Sequence, residues 1–290
     1  MVEYSIWVME YARVKEQPLS VVFNGMHNQG TWEVPFCFGV IKGNDTISLV
    51  DIGYDYSGYG RHIADISGCS MWQPIEKILQ KINVDVNDVD NVFITHAHFD
   101  HIGGNIPKFK NAHFYIQKQE YEKWVWALTL PDYFSWILKA VDPNNIQELG
   151  NLLEAKRVTL VDGFIKNVIP LVDLIPALNT HSFGCQYIVI NDYNDKAQWA
   201  FAGDNIYSYK NLVDDQGKTK YIPIGFCQCD TVNTILSIDK LFGMVGRDPK
   251  RLISSHEKDL WGKFPSWVGQ DGLYTAEIYL AKNEKSLIKK

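Results

Sequence analysis

Residues 96–101 read His-Ala-His-Phe-Asp-His, three imidazoles and a carboxylate within six positions, with glycines at 103 and 104. Imidazole and carboxylate are the side chains that hold zinc and its divalent neighbours. In extended or turning backbone His96 and His98 point the same way, because side chains two apart share a face. Asp100 and His101 follow after a turn and converge on a second point nearby, so the run suits two adjacent metals better than one. Gly103 and Gly104 let the chain turn tightly and approach the site closely. A lone histidine after a strand is more often structural than a ligand. Grouped cationic imidazoles, however, repel one another unless a metal or carboxylate lies between them.

Two metals need more ligands than these four residues supply. Of the remaining histidines, His181 lies in ALNTHSFGCQYIVI, a loop leading into a strand, and His256 in RLISSHEKDLWG, at the end of an apolar strand. Asp204, in WAFAGDNIY, likewise follows an apolar strand and a glycine. A polar ligand just beyond each of several buried strands is what a site along one sheet edge requires. His27, His62 and His113 lack that setting. His113 is expected to be partly buried and structural, and His27 to be a loop residue at most bordering a pocket.

The elements that must carry these residues are strands and helices in mixed order. Phe36 to Ile41 and Thr46 to Ile52 read as two strands, with GND between them as turn chemistry. Residues 72–82 place Ile75, Ile78, Leu79 and Ile82 at helical spacing, with Pro74 in the first turn. NVFIT is a short buried strand that stops at the histidine run. In the second half KRVTLVDG, GCQYIVI, QWAFAGD and RLISSH are strand candidates, and TVNTILSIDKLFGMV is a helix. The pattern predicts an α/β sandwich in one domain over 1–290. Residues 117–153 form a helical insert carrying Tyr121, Trp124, Trp126, Tyr133, Phe134 and Trp136. Those rings are expected to be core, to roof a pocket, or to support a homodimer. GYDYSGYGRHIADISG reads as a flexible loop near the pocket and the lysine-rich tail as a solvated end.

Bulk properties narrow the function. The formal net charge is −6, against a nucleic-acid partner held through its phosphates. No stretch has the length of a membrane span, and the N-terminus lacks the pattern of a secretory signal. Five cysteines suit reduced thiols in a cytoplasm better than a disulfide framework. Cys227 and Cys229 alone cannot complete a metal site and are expected to be buried thiols.

His96-Ala97-His98-Phe99-Asp100-His101 resembles the HxHxDH motif of the metallo-β-lactamase superfamily, and His181, Asp204 and His256 follow in that superfamily's order. The resemblance spans residues 35–260. It implies a four-layer αβ/βα sandwich with two divalent metal ions at one edge. His96, His98 and His181 would hold one ion, Asp100, His101 and His256 the other, and Asp204 would bridge them. Asp51, in LVDIG, would support ligands from behind. Within the superfamily, HFDHIGGN and GDNIYSYKNL are most similar to the N-acyl homoserine lactone lactonase group. Tyr207 matches that group's tyrosine beside the substrate carbonyl. The usual Gly-His-Thr-Pro-Gly-His stretch is replaced here by Asn179-Thr180-His181-Ser182-Phe183-Gly184-Cys185.

The expected activity is therefore hydrolysis of a small cyclic ester, a small-molecule substrate, by a hydroxide bridging two metals, with Asp100 and Tyr207 as catalytic groups. Zinc is the default metal, and manganese, iron or cobalt accept much the same ligands. A cyclic amide, thioester or other acyl substrate needs only a different pocket. A phosphodiesterase or nuclease would want a basic surface that the sequence lacks. His98 argues against the di-iron redox branch, and the short segment after His256 against a glyoxalase-type thioester hydrolase.

Overall fold

The computed structural model describes residues 3–194 and 196–288. Both ends of the expected 1–290 domain, including the last two residues of the lysine-rich tail, lie outside the described residues. Among the described residues the strands are β1 (Ser5–Pro18), β2 (Thr31–Gly43), β3 (Thr46–Val50), β4 (Cys69–Ser70), β5 (Asn91–Phe93), β6 (His113–Gln117) and β7 (Val158–Val161). They continue as β8 (Ile165–Ile169), β9 (Val172–Leu178), β10 (Gly184–Asn191), β11 (Ala197–Gly203), β12 (Leu252–Ser254), β13 (Ser266–Val268) and β14 (Tyr274–Tyr279). One sheet runs β13-β14-β1-β2-β3-β5-β6-β7, with β4 added against β1, and the other runs β12-β11-β10-β9-β8.

The two sheets pack face to face, and side-chain alternation shows how. In β1, Ile6 and Val8 enter the core between the sheets, while Trp7, Met9 and Tyr11 enter a second core on the other face. That second core also takes Ile75, Ile78 and Leu79 from the helix Ile75–Leu79 and Ile146 and Leu149 from the helix Pro143–Glu154. In β10, Ile188 and Ile190 face the first sheet, whereas Tyr187 and Val189 face Ile238, Leu241 and Phe242 of the helix Thr231–Met244. Helix, sheet, sheet and helix therefore form four layers, the αβ/βα sandwich. Each fully buried Ile, Leu or Phe contributes about 1.5–3 kcal/mol to it.

Several local expectations hold and others shift. The β2–β3 hairpin turns at Asn44 and Asp45, both at positive φ, as a two-residue primed turn requires. The helix expected over 72–82 is shorter. Pro74 stands outside as its cap, and the last turn, Gln80–Ile82, tightens to 3₁₀ geometry before Asn83 turns left-handed. GYDYSGYGRHIADISG is not a loop throughout, because Gly58–Ser67 is a helix.

The 117–153 segment divides into the helix Lys118–Ala127, a 3₁₀ stretch Asp132–Leu138 and the helix Pro143–Glu154. Its aromatics divide too. Trp124 is fully buried, while Tyr133 and Trp136 are 79% and 62% exposed. No described helix is long and apolar enough to cross a membrane.

Candidate metal centre

β5 ends at Phe93, and three residues later the chain delivers His96 into a fully buried position. His98 opens the single helical turn Phe99–Ile102, which carries Asp100 and His101. That turn is pinned to the end of β3, since the Ile52 and Asp55 amides donate to the carbonyls of His101 and Gly103. A Cβ on Gly103 would lie 2.0 Å from the Phe99 carbonyl oxygen, so the turn closes only with glycine there. His181 comes from the β9–β10 connection, Asp204 follows β11 and His256 follows β12. All seven expected ligands thus meet at one edge, four from the first sheet and three from the second.

They form two groups around Asp204. One comprises His96, His98, His181 and Asp204, the other Asp100, His101, Asp204 and His256, each with its ligand atoms within 4.8 Å of one another. Asp204 Oδ2 lies 3.9 Å from His96 Nε2 and 3.6 Å from His181 Nε2. Its Oδ1 lies 3.1 Å from both His101 Nε2 and His256 Nε2. Asp100 Oδ2 closes the second group, 3.4 Å from His256 Nε2 and 3.5 Å from His101 Nε2.

The outer nitrogen of each imidazole fixes what the inner one offers. His181 Nδ1 donates to the Phe226 carbonyl and His256 Nδ1 to the Pro35 carbonyl, each at 2.8 Å. His101 Nδ1 donates to Asp51 Oδ2 at 2.7 Å. Thr95 Oγ1 donates to Asp51 Oδ2, leaving its lone pair for His96 Nδ1 at 3.0 Å. Gln228 donates its amide to the Ile137 carbonyl, so its oxygen accepts from His98 Nε2. Each ring, when neutral, then turns a lone pair inward. In the first group, His98 Nδ1 sits 3.0 Å from both His96 Nε2 and His181 Nε2, with no proton available between them.

Three lone pairs at such distances repel unless a cation sits among them. In the second group, His101 Nε2 and Asp204 Oδ1 are buried without a hydrogen-bond partner although they are close, like two ligand atoms aimed at a third. The residues present fit two metal ions.

Protonation follows the same division. Burial holds His96 and His98 below the ordinary histidine range and takes His181 down to about 3. Burial also lowers His101 and His256, but Asp204 and Asp100 outweigh it, aided at His101 by Asp51. His101 ends well above its usual range, and His256 at about 10. Burial pushes Asp204 and Asp100 upward, yet His256 and His101 hold both below the ordinary carboxylate range. The second group therefore carries a strong negative field that wants positive charge, protons or metal.

Tyr207 lies beside the groups, its ring 4.8 Å from that of His256. Burial, then Asp204, pushes its hydroxyl well above the ordinary tyrosine range, so it remains a donor. A cavity of about 230 Å³ opens over His98, Asp100, Asp204, Tyr207 and His256. Its other walls include Val21, Val34, Phe36, Ile63, Phe99 and Phe226. The insert contributes only Lys139 and Ala140, so its exposed rings do not roof this cavity. His27 and His62 are exposed away from it, His113 is half-buried and bonds Thr159, and Cys227 and Cys229 are half-buried free thiols.

Several supporting residues carry no sequence signal of their own. Thr95, Gln228 and the carbonyls of Pro35 and Phe226 set the tautomers just described. Glu120, in an ordinary-looking helix, is wholly buried between two ligand loops.

A four-layer sandwich with paired imidazole–carboxylate groups at its sheet edge defines a metallo-hydrolase fold. The chain belongs to the metallo-beta-lactamase superfamily, whose family model matches residues 38–256. Among similar sequences, the N-acyl homoserine lactonase AttM of Rhizobium radiobacter is 26% identical over 84% of this chain and 90% of its own. Among solved structures, a quorum-quenching N-acyl homoserine lactone lactonase has a TM-score of 0.63 at 20% identity, covering 89% of this chain and 94% of that one. The hydrolase AbOPH gives a TM-score of 0.66 at 15% identity, covering 97% and 96%.

Proposed function

We propose that the chain is a dinuclear metal-dependent hydrolase that opens a small cyclic ester. The observation that carries this reading is that Asp204 belongs to both groups of converging imidazole and carboxylate atoms. His96, His98 and His181 would hold one ion, Asp100, His101 and His256 the other, and Asp204 both, with zinc the default. Two divalent cations held there supply hydroxide from water at neutral pH and draw charge from a carbonyl oxygen.

The chain's own residues do the rest. Asp100, at the cavity wall, orients the attacking water and accepts its proton. Tyr207, held protonated, donates a hydrogen bond to the substrate oxygen as it gains charge. The apolar walls hold the acyl part and exclude bulk water. Water adds to the ester carbon, the ring C–O bond breaks, and a proton goes to the leaving oxygen to give a hydroxy acid.

The lactonases among its relatives support a lactone substrate, and the apolar cavity supports a compact acyl one. Lactams and thioesters share the metal chemistry and differ in fit. The cavity wall contains Lys139 as its single lysine or arginine, which disfavours phosphodiesters. Five free thiols support a reducing compartment such as the cytoplasm. The test is a screen of the metal-loaded protein against lactones, lactams, thioesters and phosphodiesters. Lactone opening is expected. Turnover of phosphodiesters without lactones overturns the proposal.

A further inference from the structure

Glu120 lies in the helix Lys118–Ala127, outside the motif run, and its side chain is completely buried. A carboxylate so placed needs compensation, and four neutral donors supply it. Its Oε1 accepts from the Ala97 amide at 2.8 Å, the Trp124 indole at 2.8 Å and the Ser182 hydroxyl at 2.7 Å. Its Oε2 accepts from the Gly184 amide. Ala97 is the residue between His96 and His98, and Ser182 follows His181. One carboxylate therefore ties the two loops that bring together His98 Nδ1 and His181 Nε2 at 3.0 Å.

Two surrounding details show that the tie is built closely. A Cβ on Gly184 would lie 2.3 Å from the Glu120 amide nitrogen, so the second loop approaches the helix only as glycine. Trp124, which orients Oε1, also packs its ring 6.1 Å from that of His98 and 4.8 Å from that of Phe183.

We infer that Glu120 is a positioning residue that sets the separation of the His96–His98 loop from the His181 loop and so tunes metal affinity at that group alone. The inference rests on the reading that the group holds a metal. In the opposite group, Asp51 holds His101 and the Pro35 carbonyl holds His256, whereas the four donors to Glu120 all belong to its own helix and the two loops it ties.

Glu120→Gln is the sharp perturbation. An amide offers one acceptor oxygen where the carboxylate offers two. With that oxygen toward Ala97, Trp124 and Ser182, the amide NH₂ faces the Gly184 N–H, donor against donor. Flipped, it faces the other three. Either way a buried donor loses its acceptor and the loops part.

The experiment is cobalt(II) titration of the metal-depleted full chain, with bound metal followed by visible absorption and counted by elemental analysis. It is run with and without Glu120→Gln in two backgrounds. His256→Ala leaves the His96, His98 and His181 group, and His181→Ala leaves the other. Glu120→Gln is expected to weaken cobalt binding about 10- to 100-fold in the His256→Ala background and to leave the His181→Ala background unchanged. Equal loss in both backgrounds reduces Glu120 to a general structural role and overturns the inference, as does no loss in either. If Glu120→Gln does not fold, Ser182→Ala removes one of the four donors and carries the same comparison. An approximately two- to fivefold loss confined to the His256→Ala background is then expected, and no loss overturns the inference. A parent chain that binds two ions while Glu120→Gln matches it overturns the inference alone. A parent chain that binds no cobalt overturns the metal reading beneath it as well.

Discussion

Asp51→Asn tests how the centre fixes the proton on His101. Asp51 is buried at positive φ just past β3, where asparagine is one of the few residues tolerated without strain. The substitution therefore changes hydrogen bonding and little else. The new side-chain amide keeps an oxygen for the Thr95 backbone N–H, which Oδ1 of Asp51 accepts at 2.7 Å. It then puts an NH₂ where Oδ2 accepts from His101 Nδ1 at 2.7 Å. To meet that NH₂, His101 must move its proton from Nδ1 to Nε2, where an N–H replaces the lone pair aimed at Asp204 and Asp100. The bond lost is charge-assisted, worth about 1.5–3 kcal/mol, which corresponds to about 10- to 150-fold in metal affinity. Thr95 Oγ1 loses the same acceptor and turns its proton toward His96 Nδ1, disturbing the first group as well. Zinc competition against a chromophoric chelator should therefore show the ion at His101 weakened by that factor, with lactone hydrolysis falling in step. Two ions retained at parental affinity would refute the tautomer argument.

Four further outcomes are expected. Tyr207→Phe should lower kcat for lactone opening about 10²-fold with metal content intact, and unchanged turnover in a steady-state assay removes the hydroxyl from the mechanism. Chelation should abolish hydrolysis, added divalent metal should restore it, and metal at 100 times its Kd should raise unfolding free energy by about 2.7 kcal/mol in urea titration. Gly103→Ala must move the Phe99 carbonyl and the Tyr54 side chain, 2.0 and 2.8 Å from the new Cβ, and should cost about 1–3 kcal/mol by the same urea measurement. Tyr133→Ala with Trp136→Ala should leave turnover of small lactones unchanged, because neither ring lines the cavity, and sedimentation of the pair against the parent will show whether those rings hold a dimer.

The ligands are legible in the sequence because chemistry concentrates them: few reasons other than a metal gather His96, His98, Asp100 and His101, and few strands end as those before Asp204 and His256 do. The hairpin at Asn44 and Asp45 and the helix Thr231–Met244 are legible for the same local reasons, turn residues and apolar period. β1 escapes notice although it is fourteen residues long, because its first ten residues are buried on both faces, charged Glu10 and Arg13 among them, and so show no apolar–polar alternation. The short helix Gly58–Ser67 is hidden by its glycines. Glu120, Thr95 and Gln228 are invisible for another reason. Glu120 and Gln228 act through contacts across 23 to 130 positions of sequence, Thr95 through one with Asp51 44 positions away, and nothing in their immediate neighbours marks them.

The imidazoles and carboxylates at the sheet edge come from both halves of the sandwich, four from the strand–turn after β5 and three from connections around β10, β11 and β12. Ions seated between them would act as rivets across the seam where the halves meet. Since each ion would take ligands from both halves, metal loading is expected to slow any parting of the two sheets.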